Sequence, residues 1–196
     1  MVGVKIGVLA LQGDFARHEE VLRRIGVEPG EVKRPEGLDA VNGLIIPGGE
    51  STTLLKLMDA ARFVPALEKF HADGRPIFGT CAGLIVLARE VLNPAQFSLG
   101  FIDVTVERNA YGRQKESFEA EGETTLEGQP RSLSMVFIRA PRIRRLGPRV
   151  VSLASHRGEC VMAREGTVLT ATFHPELTDD PTAHRYFAEM VRHAAQ

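Results

Sequence analysis

The sequence predicts an α/β fold: a mixed, mostly parallel sheet with helices on both faces and antiparallel strands added toward the C-terminus. Three observations carry that expectation. Short apolar runs without alternation, VKIGVLAL, GLIIPGG and RPIFG, read as strands covered on both faces. Between them lie stretches with apolar residues at helical spacing, and strands alternating with helices argue for a parallel sheet. From about residue 100 the chain turns into short β-rich segments separated by turn signals such as RGE and REG. With 196 residues, 43% of them hydrophobic, the chain is long enough for one substantial core and short for two, so a single domain over 1–196 is expected.

Taken in order, VKIGVLAL opens as a buried strand. FARHEEVLRRIGV sets Phe15, His18, Val21, Leu22 and Ile25 at helical spacing, and Gly26 supplies a stop. A short EVKRPE leads to the second strand, GLIIPGG. Ser51 is expected to cap the helix TTLLKLMDAARF, Pro65 to open another as far as His71, and RPIFG to form the third strand. A helix AGLIVLAREVL should then start at Ala82. FIDVTVERN, ESFEAEGE, SLSMVFIRA, RVVSLASH, ECVMARE and TVLTATFHP read as antiparallel strands, and TAHRYFAEMVRHAA closes as a helix. No internal repeat or linker interrupts the series.

Charge and cysteine content narrow the function. A net charge of -1, from 24 basic and 25 acidic residues, is not the footprint of a nucleic-acid binder. Two cysteines form no disulfide framework and lack zinc spacing, so a reducing, cytoplasmic setting without a metal is expected. The N-terminal apolar run gives way to QGD too early for a membrane span or a secretory leader. No G-x-G-x-x-G or P-loop pattern points to a dinucleotide or ATP.

Chemistry concentrates in three places. In FGTCAGL, Gly79 and Gly83 flank Cys81 as G-x-C-x-G, the cysteine counterpart of a strand-turn-helix nucleophile elbow. Such a turn sets the sulfur at a helix N-terminus, which favours thiolate, and aims the N–H of Ala82 at a developing oxyanion. The plainer reading is a small buried hydrophobe, a common fate of free cysteine. In TFHPEL, His174 and Glu176 project together if the backbone is extended, a base with its orienting carboxylate; the plainer reading is two surface side chains. In PGGEST, Gly48 and Gly49 follow a buried strand and can present N–H groups to an anion, one of them as a second oxyanion donor. Strands of an open parallel sheet collect ligands at their carboxyl ends, so PGG and Cys81 are expected to face one crevice.

PGGEST, GTCAGL and FHPEL, in that order, resemble the class I glutamine amidotransferases, with their flavodoxin-like three-layer glutaminase fold and Cys-His-Glu triad. LALQGDFARH, VERNAYGRQKESFEA and FIRAP add a similarity to the family of glutaminase subunits of pyridoxal 5'-phosphate synthase, over nearly the whole chain. Asp14 and Tyr111 depart from the family pattern, which expects a small residue and phenylalanine there. The resemblance implies Cys81 as nucleophile, His174 as base and acid, and Glu176 as orienter of the imidazole. It implies that Gly49, Glu50 and Ser51 hold the substrate, with Arg108, Ile138 and Arg139 completing the pocket. Glutamine carries a carboxylate and an ammonium, and a guanidinium binds a carboxylate bidentately. On sequence grounds Arg108, Arg139 and Arg113 all suit that task. The cluster RIRRLGPR reads as surface, and Cys160 as a strand residue of the core.

The implied reaction is attack of Cys81 on the side-chain amide of L-glutamine, release of ammonia and hydrolysis of a γ-glutamyl thioester, with no cofactor. Ammonia needs a consumer. The resemblance implies a (β/α)8-barrel pyridoxal 5'-phosphate synthase subunit in a large hetero-oligomer, twelve of each subunit, with the glutaminase active mainly when docked. Two other readings stand beside it: a glutaminase serving another ammonia-dependent synthase, and a non-catalytic scaffold subunit. RNAYGRQ and LALQGDF argue against the first, the intact Cys81, His174 and Glu176 against the second.

Overall fold

The computed structural model describes residues 3–108, 110, 117–126 and 128–196. In chain order, β1 (Lys5–Leu9) leads to α1 (Phe15–Arg24), β2 (Glu28–Val32), β3 (Gly43–Ile46), α2 (Ser51–Ala60), α3 (Phe63–Ala72), β4 (Ile77–Thr80) and the short α4 (Ala82–Leu87). There follow β5 (Ala88–Leu92), β6 (Ile102–Glu107), β7 (Ser117–Thr124), β8 (Arg131–Ile138), β9 (Arg142–Leu146), β10 (Val151–His156), β11 (Glu159–Glu165), β12 (Val168–Ala171) and α5 (Thr182–Ala194).

A nine-stranded sheet runs β2-β1-β3-β4-β12-β11-β10-β7-β8. Its first five strands pair in parallel and the rest antiparallel. Alternation explains why the apolar runs are continuous: Leu44 and Ile46 of β3 face one core cluster and Ile45 the other. The same holds in β4, where Ile77 faces α2, α3 and α4 while Phe78 meets Phe187 of α5 at 5.5 Å between ring centroids. Both faces are covered, so these strands are apolar apart from Thr80, whose buried hydroxyl lies near the His18 ring.

Four expectations need correction. The helix AGLIVLAREVL stops at Leu87: Ala88 turns to ψ 154° and the next residues form β5, which pairs with the following strand, β6. Long-range pairing overrode a run whose local propensity favours helix. The late strands do not all join one antiparallel array. β5, β6 and β9 make a separate three-stranded sheet, and β12 inserts parallel to β4 at the centre of the main one. Ser51 is not the cap of α2; Glu50 is, its carboxylate accepting from the Thr52 and Thr53 N–H groups at 3.1 and 2.8 Å. Finally, α3 begins at Phe63, so Pro65 sits inside the first turn, where a missing N–H is harmless.

RIRRL is a strand, β9, and its cationic side chains are matched within the chain. Arg142, Arg144 and Arg145 pair with Glu159, Glu107 and Asp103, and Arg149 beyond the strand pairs with Glu165.

Candidate active site

β3, β4 and β12 are neighbours, and their carboxyl ends deliver the glycine loop, the cysteine and the histidine to one place. Cys81 follows β4 directly. Its backbone sits at φ 50°, ψ -101°, a conformation that costs a side-chain-bearing residue of order 1–3 kcal/mol and persists only where the surroundings enforce it. The surroundings are specific: the Cys81 N–H donates to Ala171 O at 2.8 Å, and Ile85 N–H returns to Cys81 O at 3.2 Å. Gly83 packs so tightly on the Ile46 carbonyl of β3 that a Cβ there would overlap it. A strained elbow clamped between two strands is how a nucleophile is held up on a sharp turn.

The histidine arrives differently from the expectation. β12 ends at Ala171, and His174 precedes a 3-10 turn, Pro175–Leu177, so His174 and Glu176 do not lie on extended backbone. The turn itself brings them together: His174 Nδ1 lies 2.8 Å from Glu176 Oε1. The His174 N–H donates to Val136 O of β8 at 2.8 Å, and the Cys81 thiol points at Ile138 O, 3.9 Å away, on the same strand. Gly48 lies under the imidazole; a Cβ there would collide with His174 Cε1.

Cys81, His174 and Glu176 are all buried. Burial alone would push the His174 imidazole toward neutrality. Interaction with the Cys81 and Glu176 side chains outweighs it and raises His174 to about 10. Burial likewise opposes ionisation of Glu176, but His18 and His174 overcome it and hold the carboxyl at about 2. An ionised Glu176 can only accept, so the His174 proton sits on Nδ1 when the ring is neutral, leaving Nε2 for proton exchange with the reacting atoms.

A cavity of about 340 Å³ opens over the sulfur. It collects Cys81, His174, Gly48, Gly49, Glu50, Ser51, Arg108, Ile138 and Arg139, together with Gly13, Asp14, Ile85 and Pro141, which the motifs did not nominate. Glu176 and Ala82 do not line it: the first supports His174 from the buried side, and Ala82 is fully buried next to the sulfur. That volume lies at the small end of ligand pockets, suited to an amino acid.

The rest of the lining is more polar, and Glu50 and Arg139 are exposed. Glu50 caps α2, accepts from the Thr53 hydroxyl at 2.6 Å and faces Arg108 at 3.5 Å. The Thr52 and Thr53 hydroxyls, with their N–H groups, hold its carboxyl at about 2 despite some burial. Ser51 Oγ donates to Gln96 Oε1 at 3.1 Å, and Gln12 Nε2 donates to Glu50 O at 2.7 Å, tying the loop after β1 to the glycine loop. Arg139 is exposed, at φ 43°. Arg113 and Tyr111 lie outside the described residues. Cys160, half-buried on β11, points its thiol at Met162 O, and burial raises its pKa.

Sequence reasoning missed His18 and His184. Both are fully buried, and His18 reaches the far side of Glu176. The helical spacing that placed His18 on the apolar face of α1 was the available signal.

This order of strands, with the elbow and the glycine loop at its carboxyl edge, is the fold of a class I glutamine amidotransferase. The model of the SNO glutamine amidotransferase family matches residues 8–193, and the chain belongs to that family. It is thus an enzyme of glutamine hydrolysis and ammonia transfer. Pyridoxal 5'-phosphate synthase subunit PdxT of Thermotoga neapolitana is 52% identical over 96% of this chain and 100% of its own length. The subunit of the same name from Koribacter versatilis is 53% identical over 96% of both. A crystal structure described as a glutamine amidotransferase, 49% identical, covers 95% of this chain and 98% of its own with a TM-score of 0.89.

Proposed function

We propose that this chain is the glutaminase subunit of a pyridoxal 5'-phosphate synthase, with Cys81 as nucleophile, His174 as general base and acid, and Glu176 as the group that orients and charges the imidazole. The observation that carries the reading is that Cys81 and His174, the latter held by Glu176, line one cavity together with Arg108 and Glu50. A protonated His174 beside the sulfur is the arrangement in which cysteine attacks as thiolate. The thiolate adds to the side-chain amide carbon of glutamine. The Ala82 N–H and an N–H of Gly48 or Gly49 receive the oxyanion, each such donor being worth about 3 kcal/mol. His174 protonates the departing ammonia, and water, deprotonated by the same ring, hydrolyses the thioester to glutamate.

Arg108 is the cation for the substrate carboxylate. It lines the pocket with a side chain only 13% exposed, whereas Arg139 is exposed at the rim. Gly49, Glu50, Ser51 and Ile138 shape the remainder, and no cofactor enters the reaction.

The ammonia passes to a partner. Relatives named as pyridoxal 5'-phosphate synthase subunits, about half identical in sequence over nearly full length, support a synthase partner; that this partner is a (β/α)8-barrel is what the resemblance of the motifs implies. The assembly holds twelve of each subunit in the cytoplasm, as a single glutaminase domain per chain, and none of the described helices is long and apolar enough to cross a membrane.

Glutamine hydrolysis by the purified chain, with and without the barrel subunit and with Cys81→Ala in parallel, tests this. Ammonia release should rise strongly on adding the partner and vanish in the variant. Release that survives Cys81→Ala, or ignores the partner, overturns the reading.

A further inference from the structure

The reactive pair does not end at Glu176. Its Oε1 accepts from His174, but its Oε2 is buried and receives no hydrogen bond from the described residues. A buried carboxylate oxygen left that way is costly. His18 Nε2 of α1 lies 3.4 Å from that oxygen, longer than a well-formed hydrogen bond. The His18 ring is fully buried, its Nδ1 lies 2.9 Å from Nε2 of the equally buried His184 of α5, and Thr80, the residue before Cys81, sets its hydroxyl 3.5 Å from His18 Nε2.

The proton inventory favours one arrangement. Burial lowers the pKa of both rings, so each is neutral and carries a single proton. If His18 carried it on Nδ1, a bare Nε2 lone pair would face an ionised carboxylate. With the proton on Nε2, His18 donates toward Glu176 Oε2 and accepts at Nδ1 from the His184 Nε2–H. Direct contact between the two rings leaves no room for an ion between them, and no metal-binding cluster occurs among the described residues.

We infer that His18 is a positioning residue of the glutaminase site: it holds the second oxygen of Glu176, so that the carboxylate keeps its angle to His174, and His184 fixes the tautomer in which it does so. The inference rests on the catalytic roles proposed above. A pair of apolar rings would fill the same volume without burying polar atoms, so packing alone does not explain two histidines here. The groups facing His18 are Asp14 from the start of its own helix, His174 and Glu176 from the 3-10 turn, and His184, which itself feels Arg24.

The rate of Cys81 alkylation by iodoacetamide, followed against pH with Cys81 and Cys160 peptides resolved by mass spectrometry, needs neither glutamine nor partner. In His18→Asn, too short to reach Glu176, the acid limb should move to higher pH by about one unit, making labelling about tenfold slower below it. His18→Gln, whose amide reaches further, should restore most of the rate. A folded His18→Asn protein with the native limb overturns the inference while Glu176→Gln still moves it. If Glu176→Gln leaves the limb in place as well, the catalytic reading itself fails. Imidazole ¹⁵N resonances of the native protein decide independently of any His18 variant: an Nε2–H tautomer that responds to Glu176→Gln is expected, and an Nδ1–H tautomer overturns the inference.

Discussion

The two ends of the pocket are built on different terms. At the sulfur end, Cys81, His174 and Glu176 are buried; the Cys81 backbone is tied to β12, the His174 backbone to β8, and Glu176 is held against the His174 ring. At the other end, Glu50 is 45% exposed on its side chain, Arg139 stands in solvent, and Glu50 and Ser51 spend their polar atoms on a helix cap and on Gln96. The contrast separates two tasks. On the proposed roles, the bond-making groups are placed by the sheet, and the recognition groups are held by weak, exchangeable contacts that a substrate can replace at small cost.

The largest expected effect breaks the buried end. Glu176→Gln keeps the shape but removes the charge and the tautomer control, and partner-activated glutamine turnover should fall by about 10³–10⁴-fold with KM little changed. A loss of tenfold or less would mean that the carboxylate is only packing.

Gly48→Ala attacks the same end through sterics. A methyl group would displace His174, and turnover should drop about 10²-fold, while the substrate-binding arginine is untouched. An unchanged kcat would show that the ring has room to move, which the contact geometry denies.

Arg108→Ala probes the open end, where the outcome should be of another kind. KM for glutamine should rise about tenfold or more, from loss of a charge-assisted contact, with kcat within a few-fold of native. A fall in kcat alone would erase the distinction between the ends.

The smallest effect is on stability against pH. His18 and His184 have folded pKa values below the ordinary 6.5, that of His184 at about 3, because burial disfavours their charge. The unfolded chain therefore binds protons that the folded one refuses, and stability declines as pH falls below about 6.5. Glu176, lowered to about 2, contributes a stability that is complete above 4.5 and lost only as pH falls toward 2. His174, raised to about 10, contributes one complete below 6.5 and lost as pH rises through 10. Between roughly pH 4.5 and 6.5 the two buried rings, with His71, whose pKa burial also lowers, thus set the slope. Urea midpoints in that window should flatten in His184→Gln relative to native; equal slopes would assign the acid sensitivity elsewhere.

How far the sequence could be read follows the same division. GLII, PIFG, the elbow at Cys81 and the loop at Gly48 were legible because each is a local event: continuous apolarity for a strand sealed on both faces, glycine where backbones touch. His174 and Glu176 were found as a pair on the wrong geometry, since a 3-10 turn and a strand end both bring residues two apart together. Glu50 was missed as a cap because Ser51 has the stronger local preference and only the turn's actual path decides which side chain reaches Thr52 and Thr53. The AREVL segment became a strand through its pairing with β6, a tertiary contact that its own helix-favouring residues do not announce. His18 meets His184 across 166 residues, and no local pattern encodes that meeting.

β12 is the last strand in the chain, yet it lies between β4 and β11. During synthesis the residues of the Cys81 turn emerge long before Ala171, which clamps that turn, and the segment carrying His174 and Glu176 have left the ribosome. At about 5–20 residues per second the interval is several seconds or more. Throughout it β4 has an open edge where β12 will pair, and the thiol has no imidazole beside it. If Cys81 and His174 act as proposed, the nascent chain is chemically idle at its nucleophile, and the step that closes the sheet is the same one that arms the enzyme.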